Sequence, residues 1–156
     1  MGAHEGVFTK KLSKIFSSAT FLLVEGNPEK LPGLAGFVSQ DPTRFKLQGV
    51  LLGAVADVVK FHIMEGETGS SVFLEQSNLS HRIVEVPQVR LSDIISVNER
   101  PSLIKLDVQG YESQVLKGID RCVNTGRKIP KTSVENSPVL QAILIMAALS
   151  SGVLRP

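Results

Sequence analysis

Two short apolar runs constrain this chain more than any other feature. Phe21–Glu25 reads FLLVE and Ser102–Val108 reads SLIKLDV. A strand with one wet face alternates apolar and polar residues. Runs like these belong to strands covered on both faces, as in a parallel sheet flanked by helices. Helical spacing falls between and around them. Val7, Phe8, Leu12, Ile15 and Phe16 recur with Lys10, Lys11 and Lys14 opposite, which predicts an amphipathic helix. Tyr111, Val115, Leu116 and Ile119, extended by Cys122 and Val123, predict another. Its Glu112 lies in the first turn and Lys117 and Arg121 come later, as the helix dipole favours. Asn27-Pro28 reads as an N-cap and a first helical residue, opening a poor helix that contains Pro32, Gly33 and Gly36. Arg44–Gly53, Lys60–Glu65 and Ile83–Val89 read as strands, the last interrupted by Pro87, and Ser92 as the cap of a single turn over Asp93–Ser96. Helices alternating with buried strands give an α/β class with a mainly parallel sheet.

Composition narrows the function classes. The 156 residues are the size of one domain, with the 42% hydrophobic and 21% charged content of an ordinary globular protein. The net charge is +2 and the basic residues are scattered, so no stripe is ready to neutralise the phosphates of a nucleic acid. The single cysteine, Cys122, has no partner for an internal disulfide, which points to a reducing, cytoplasmic location. No basic region followed by an apolar stretch opens the sequence, so no secretory signal is expected. The most apolar segment, Val139–Leu149, is about half the ~20 residues that span a bilayer. It reads as a core helix or strand, with no membrane role. His4, His62 and His81 have no Cys or His at ligand spacing, so no metal site is expected.

The candidate chemistry lies in two clusters. Gly2–Gly6, GAHEG, directly precedes a helix, where glycine lets the backbone approach a ligand and the free N–H groups face it. Glu25 follows Gly6 by 19 positions, at the end of the next strand. A carboxylate there can accept hydrogen bonds from both hydroxyls of a ribose. The other reading is a helix entry that merely needs glycine, followed by a surface glutamate. The pattern G-x-x-x-G also differs from the dinucleotide fingerprint G-x-G-x-x-G, and Glu5 stands where a pyrophosphate would come closest. That favours a nucleoside cofactor without phosphates, and S-adenosylmethionine fits. The second cluster is Lys105, Asp107, Gln109, Gly110 and Glu112. Alternation puts Lys105 and Asp107 on one side of a strand, with Asp107 at the carboxyl end where open α/β sheets bind ligands. Asp107 can hold an ammonium or orient a hydroxyl there. Alternatively, Lys105 and Asp107 form an ion pair closing the strand and Glu112 serves the helix dipole. Tyr111, the only tyrosine, either covers the site or packs at the helix start.

These motifs together resemble those of the FkbM-type, class I, S-adenosylmethionine-dependent methyltransferases. GAHEGVFTKKLSKIF with FLLVEGNPE resembles the first two motifs; RLSDII and SLIKLDVQGYESQVLKG resemble the later signature. LGAVAD, KFHI and Ser70-Ser71 resemble the segment between. The resemblance runs from about Gly2 to Gly118 and implies a Rossmann-like fold. It also implies methyl transfer to an oxygen of a sugar or another small-molecule acceptor. Gly2, Ala3, His4 and Gly6 would hold the amino-acid part of the cofactor, Glu25 would take the ribose hydroxyls, Asp57 would lie near the adenine, and Asn27 would also bind the cofactor. Asp107 would lie beside the sulfonium and the acceptor, and either Asp107 or Lys105 would be the base. The family also has a strand before the glycine loop and final strands that this sequence does not show, and Gln109 replaces its usual glutamate. The expectation is therefore an incomplete sheet, truncated at both ends, with a core over residues 1–125 and an unmatched tail over 126–156. A non-catalytic remnant of such an enzyme is the first rival. A nicotinamide-dependent oxidoreductase is the second, since Glu25 would serve an NAD ribose equally, although no Tyr-Lys pairing supports it.

Overall fold

Gly6 decides where the first helix begins. Its φ of 71° lies in the left-handed region, which glycine adopts without strain, and its carbonyl accepts the Lys10 N–H at 2.8 Å. Helix α1, Val7–Ile15, follows. The computed structural model describes residue 3 and residues 5–64, 81–95, 101, 103–108, 111–119 and 141–142. Phe8 and Leu12 turn inward around a wholly buried Thr9, while Val7 and Ile15 are 53% and 70% exposed. The buried stripe is thus narrower than the sequence predicts. Residues 7, 11 and 15 share one row of the helix, and Lys11 in that row keeps it at the solvent.

Strand β1, Thr20–Val24, pairs in parallel with β2, Phe45–Gln48, from Phe21↔Phe45 to Val24↔Gln48. On its other edge it pairs in parallel with β6, Gln141–Ala142. Phe21 and Leu23 enter one core with Leu34 and Phe45, while Leu22 and Val24 face a second core. β1 is therefore covered on both faces, as its unbroken apolar run predicts. Arg44 ties this sheet to the end of α1. Its guanidinium donates to the carbonyls of Ala19 (3.1 Å), Phe16 (2.9 Å) and Ser13 (3.2 Å) and lies over the rings of Phe21 and Phe45. The last carbonyls of a helix lack intrahelical partners, and a cation there satisfies them.

Helix α2, Leu31–Val38, begins later than Asn27-Pro28 suggests. Pro32 occupies the first turn, where its missing N–H costs nothing, and Asn27 instead shapes the turn before the helix. The expected strand Arg44–Gly53 splits. Gly49-Val50 breaks it into β2 and β3, Leu51–Leu52, which belongs to a second sheet. That sheet has the order β3-β5-β4, where β4 is Asp57–Met64 and β5 is His81–Val89. β4 and β5 form an antiparallel pair from Asp57↔Gln88 to Met64↔His81, and β3 joins β5 in parallel at Gln88 and Val89. Pro87 lies beyond the reach of β3, so on that side it interrupts no ladder.

Three further expectations are corrected. The turn α3 is Leu91–Ile94 and has no side-chain cap. Fully buried Leu91 anchors it one residue ahead of Ser92, and Arg90 grips Asp93 at 2.9 and 3.0 Å. Ser102–Val108 does not form a strand in its described part, residues 103–108. Leu103 makes a single bridge and the described residues supply no ladder for 104–108. Helix α4, Glu112–Lys117, buries Val115 and, past its end, Ile119, but leaves Leu116 54% exposed. The strand β6 falls inside Val139–Leu149, which the sequence reads as a core helix or strand, and lies in the tail where the family's final strands are not expected. The rest of Val139–Leu149, with Cys122 and Val123, lies outside the described residues. Among those described, no helix is long and apolar enough to cross a membrane.

Candidate functional site

The carboxyl end of β1 carries an unusual side chain, a carboxylate without exposure. Glu25 is wholly buried and continues the ladder, its N–H donating to the Gln48 carbonyl at 3.0 Å. A buried carboxylate is costly without hydrogen-bond donors. The Asn27 N–H supplies one at 2.8 Å. Asn27 is itself buried, and its Oδ1 accepts the Glu29 N–H at 3.0 Å, closing a tight turn. Of the two readings open for Glu25, the surface glutamate is excluded by its burial. Glycine at position 6, by contrast, is explained by backbone conformation alone. A side chain there would lie in ordinary contact with Leu34 and Phe37, but the positive φ would strain it.

Ala3 is buried in the same core as Phe21 and Leu23. Gly2, His4, Gln109, Gly110 and Ser70-Ser71 lie outside the described residues. Thr9, which sequence reasoning passed over, is fully buried in α1, and its Oγ1 has no hydrogen-bond partner among the described residues. The only sequence signal is a hydroxyl three residues after a glycine at a helix start.

Lys105 and Asp107 do share a side. Lys105 Nζ donates to Asp107 Oδ2 at 3.0 Å, and the ammonium also sits 5.0 Å from the centre of the Phe8 ring. This brings the segment next to the first turn of α1. For Asp107, partial burial raises the carboxyl, but hydrogen bonds and neighbouring positive charge, Lys105 included, outweigh it and hold the carboxyl below its usual value. Asp107 is therefore an anion at neutral pH and an acceptor.

Asp57 is exposed at the start of β4, accepting the Val58 N–H at 2.8 Å. Leu51, Gln88 and Asp57 form one row across three strands. Two strand spacings put Asp57 roughly 10 Å from Leu51. Gly26, next to Glu25, packs so tightly on Leu51 that an added Cβ would collide with it. Glu25 and Asp57 thus flank one continuous row, while Lys105 and Asp107 lie beside α1. Among the described residues, no group of three or more His, Cys, Asp or Glu is placed to hold a metal ion.

Sequence reasoning also missed Gln88. It is buried in β5, with Nε2 donating to the Val55 carbonyl at 3.0 Å and Oε1 accepting the Tyr111 hydroxyl at 3.0 Å. Its signal was a lone amide in an otherwise apolar strand end, VPQV.

A model of the methyltransferase FkbM domain matches residues 1–139. No curated protein matches. Among solved structures, the chain is similar to the crystal structure of methyltransferase FkbM from Methylobacillus flagellatus KT. The TM-score is 0.55 at 19% identity, over 78% of this chain and 28% of that one. The chain thus spans less than a third of that relative's length, and at this identity the likeness bears on the fold: α/β with a parallel sheet, consistent with the Rossmann-like class I architecture.

Proposed function

The chain belongs to the methyltransferase FkbM domain family, and from that premise we propose that it is a methyltransferase domain that binds S-adenosylmethionine and methylates a hydroxyl of a sugar or another small molecule. The observation that carries this reading is Glu25, a wholly buried carboxylate at the carboxyl end of a parallel strand, beside the Asn27 turn. A group so costly to bury suits a site built for the paired hydroxyls of a ribose. Glu25 is covered in this structure, so binding entails a local opening over the end of β1. The donor set also fits the rest of the cofactor. The start of α1 and the unpartnered Thr9 hydroxyl offer donors to a carboxylate, and Asp107 offers an anion to an ammonium or sulfonium. Ala3 and Gly6 belong to that side in this reading, and Asp57 to the adenine side.

The cofactor, when bound, supplies an electrophilic methyl group. The residues of this chain supply alignment and proton handling, and alignment can lower such a barrier by roughly 7–11 kcal/mol in favourable systems. Asp107 accepts a hydrogen bond from the acceptor hydroxyl, which orients its oxygen, and would take the hydroxyl proton as the methyl group transfers. Lys105, paired to it as an ammonium, fixes the carboxylate in place. Calorimetric titration with S-adenosylhomocysteine tests the reading. Micromolar binding that Glu25→Ala weakens by about tenfold or more is expected from losing a charged hydrogen-bond acceptor. Unchanged affinity in Glu25→Ala would remove the ribose assignment. Absence of binding by folded wild type would favour the non-catalytic remnant.

A further inference from the structure

Gln88 sits where three parts of the chain converge. Its side chain leaves β5 on the same face as buried Val86, toward the core. Val55 offers a carbonyl, which only accepts, so the amide nitrogen must face it. The amide oxygen is left for the Tyr111 hydroxyl, which donates. The orientation of the amide is thus fixed by chemistry. The surroundings leave no slack. An added Cβ on Gly53 would collide with the Gln88 amide, and one on Gly118 with the Gly53 carbonyl. The Gly53 N–H also donates to the Val89 carbonyl at 3.0 Å.

Each end of this strut reaches a segment assigned above. Val55 belongs to the loop between β3 and β4 that delivers Asp57 two residues later, and Asp57 is the ladder partner of Gln88 itself. Tyr111 opens α4 and donates its N–H to the Val108 carbonyl, one residue beyond Asp107. Hydrogen bonds from both ends of one buried amide fix the segments they join.

We infer that Gln88 is a positioning residue: through Val55 and Tyr111 it holds the loop 54–57 in fixed relation to the Asp107 segment and thereby sets selectivity for an adenine base. The inference rests on the methyltransferase reading, and its test separates the two. Full-length wild type, Gln88→Glu and Tyr111→Phe are titrated with S-adenosylhomocysteine and with S-inosylhomocysteine, which differs only in the base. In Gln88→Glu an oxygen replaces the donor to Val55 at nearly equal volume, and Tyr111→Phe removes one hydroxyl and keeps the packing. Amide exchange over residues 54–58 is read on the same samples.

Wild type prefers the adenine compound. Gln88→Glu reduces that preference by about tenfold, the scale of one well-placed hydrogen bond, and Tyr111→Phe by less. Both variants speed exchange over 54–58. A merely structural defect would weaken both compounds alike and leave their ratio unchanged. An unchanged ratio in both folded variants, or unchanged exchange over 54–58, overturns the inference while leaving the methyltransferase reading intact. Failure of wild type to bind either compound overturns that reading and the selectivity claim with it.

Discussion

The two sheets share a wall at β1 but handle polar groups in opposite ways. The first is parallel throughout, and its middle strand is apolar on both faces. Its buried polar groups, Glu25 and Asn27, collect beyond the strand's carboxyl end. The second sheet is dominated by an antiparallel hairpin. One face of it packs Phe61, Ile63 and Val86 inward, while Val58, Lys60, Ile83 and Glu85 point outward along its whole length. Its buried polar residue, Gln88, is held by two partners. A strand buried on both faces has only its ends for chemistry, whereas a hairpin with one wet face can spread polarity along itself.

Three measurements sharpen or break this comparison. The largest effect belongs to Phe61→Ala, which empties the second core. A loss of about 4 kcal/mol in urea unfolding is expected for a fully buried phenylalanine. Because Val24 of β1 packs into that core, the two sheets should still unfold in one transition. Two separated transitions would show that the shared wall does not couple them. Next comes Arg44→Ala, which removes three hydrogen bonds from a cation to carbonyls between the last turn of α1 and the start of β1. About 2 kcal/mol should be lost, and Arg44→Lys should recover little, since one ammonium cannot reproduce the planar fork. Full recovery by lysine would mean charge alone matters there. The smallest effect is Asp107→Asn. A carboxyl held low stabilises the fold above its unfolded pKa, and that contribution is lost as pH falls through the lowered value. The variant should melt about 1 °C lower at neutral pH and converge with wild type in acid, as for an ion pair near the surface. A gap that persists in acid would assign the effect to packing.

Much of the first sheet was legible because its signals are local. An apolar run gave β1, and a glycine before an amphipathic pattern gave the start of α1. Glu25 was found by position alone, at a strand end after a glycine loop. Its complete burial was not readable, since it depends on what covers the strand end. The second sheet was harder. Gly49-Val50 looks like the middle of one strand, yet the chain changes sheets there, and only the partners Phe21 and Gln88 reveal it. SLIKLDV carries the composition of a buried strand, but a ladder needs a neighbour and the described residues give residues 104–108 none. Gln88 escaped because its partners lie 33 and 23 positions away in sequence.

The pairing of β6 with β1 sets an order of events during synthesis. β2 and β1 can meet soon after they leave the ribosome, as can β4 and β5. Thr20 and Phe21, however, find Gln141 and Ala142 only once residue 142 has emerged. Until then one edge of the most apolar strand stands open to any other extended segment. The nascent protein is thus open to misassembly at Phe21, which later lies between β2 and β6.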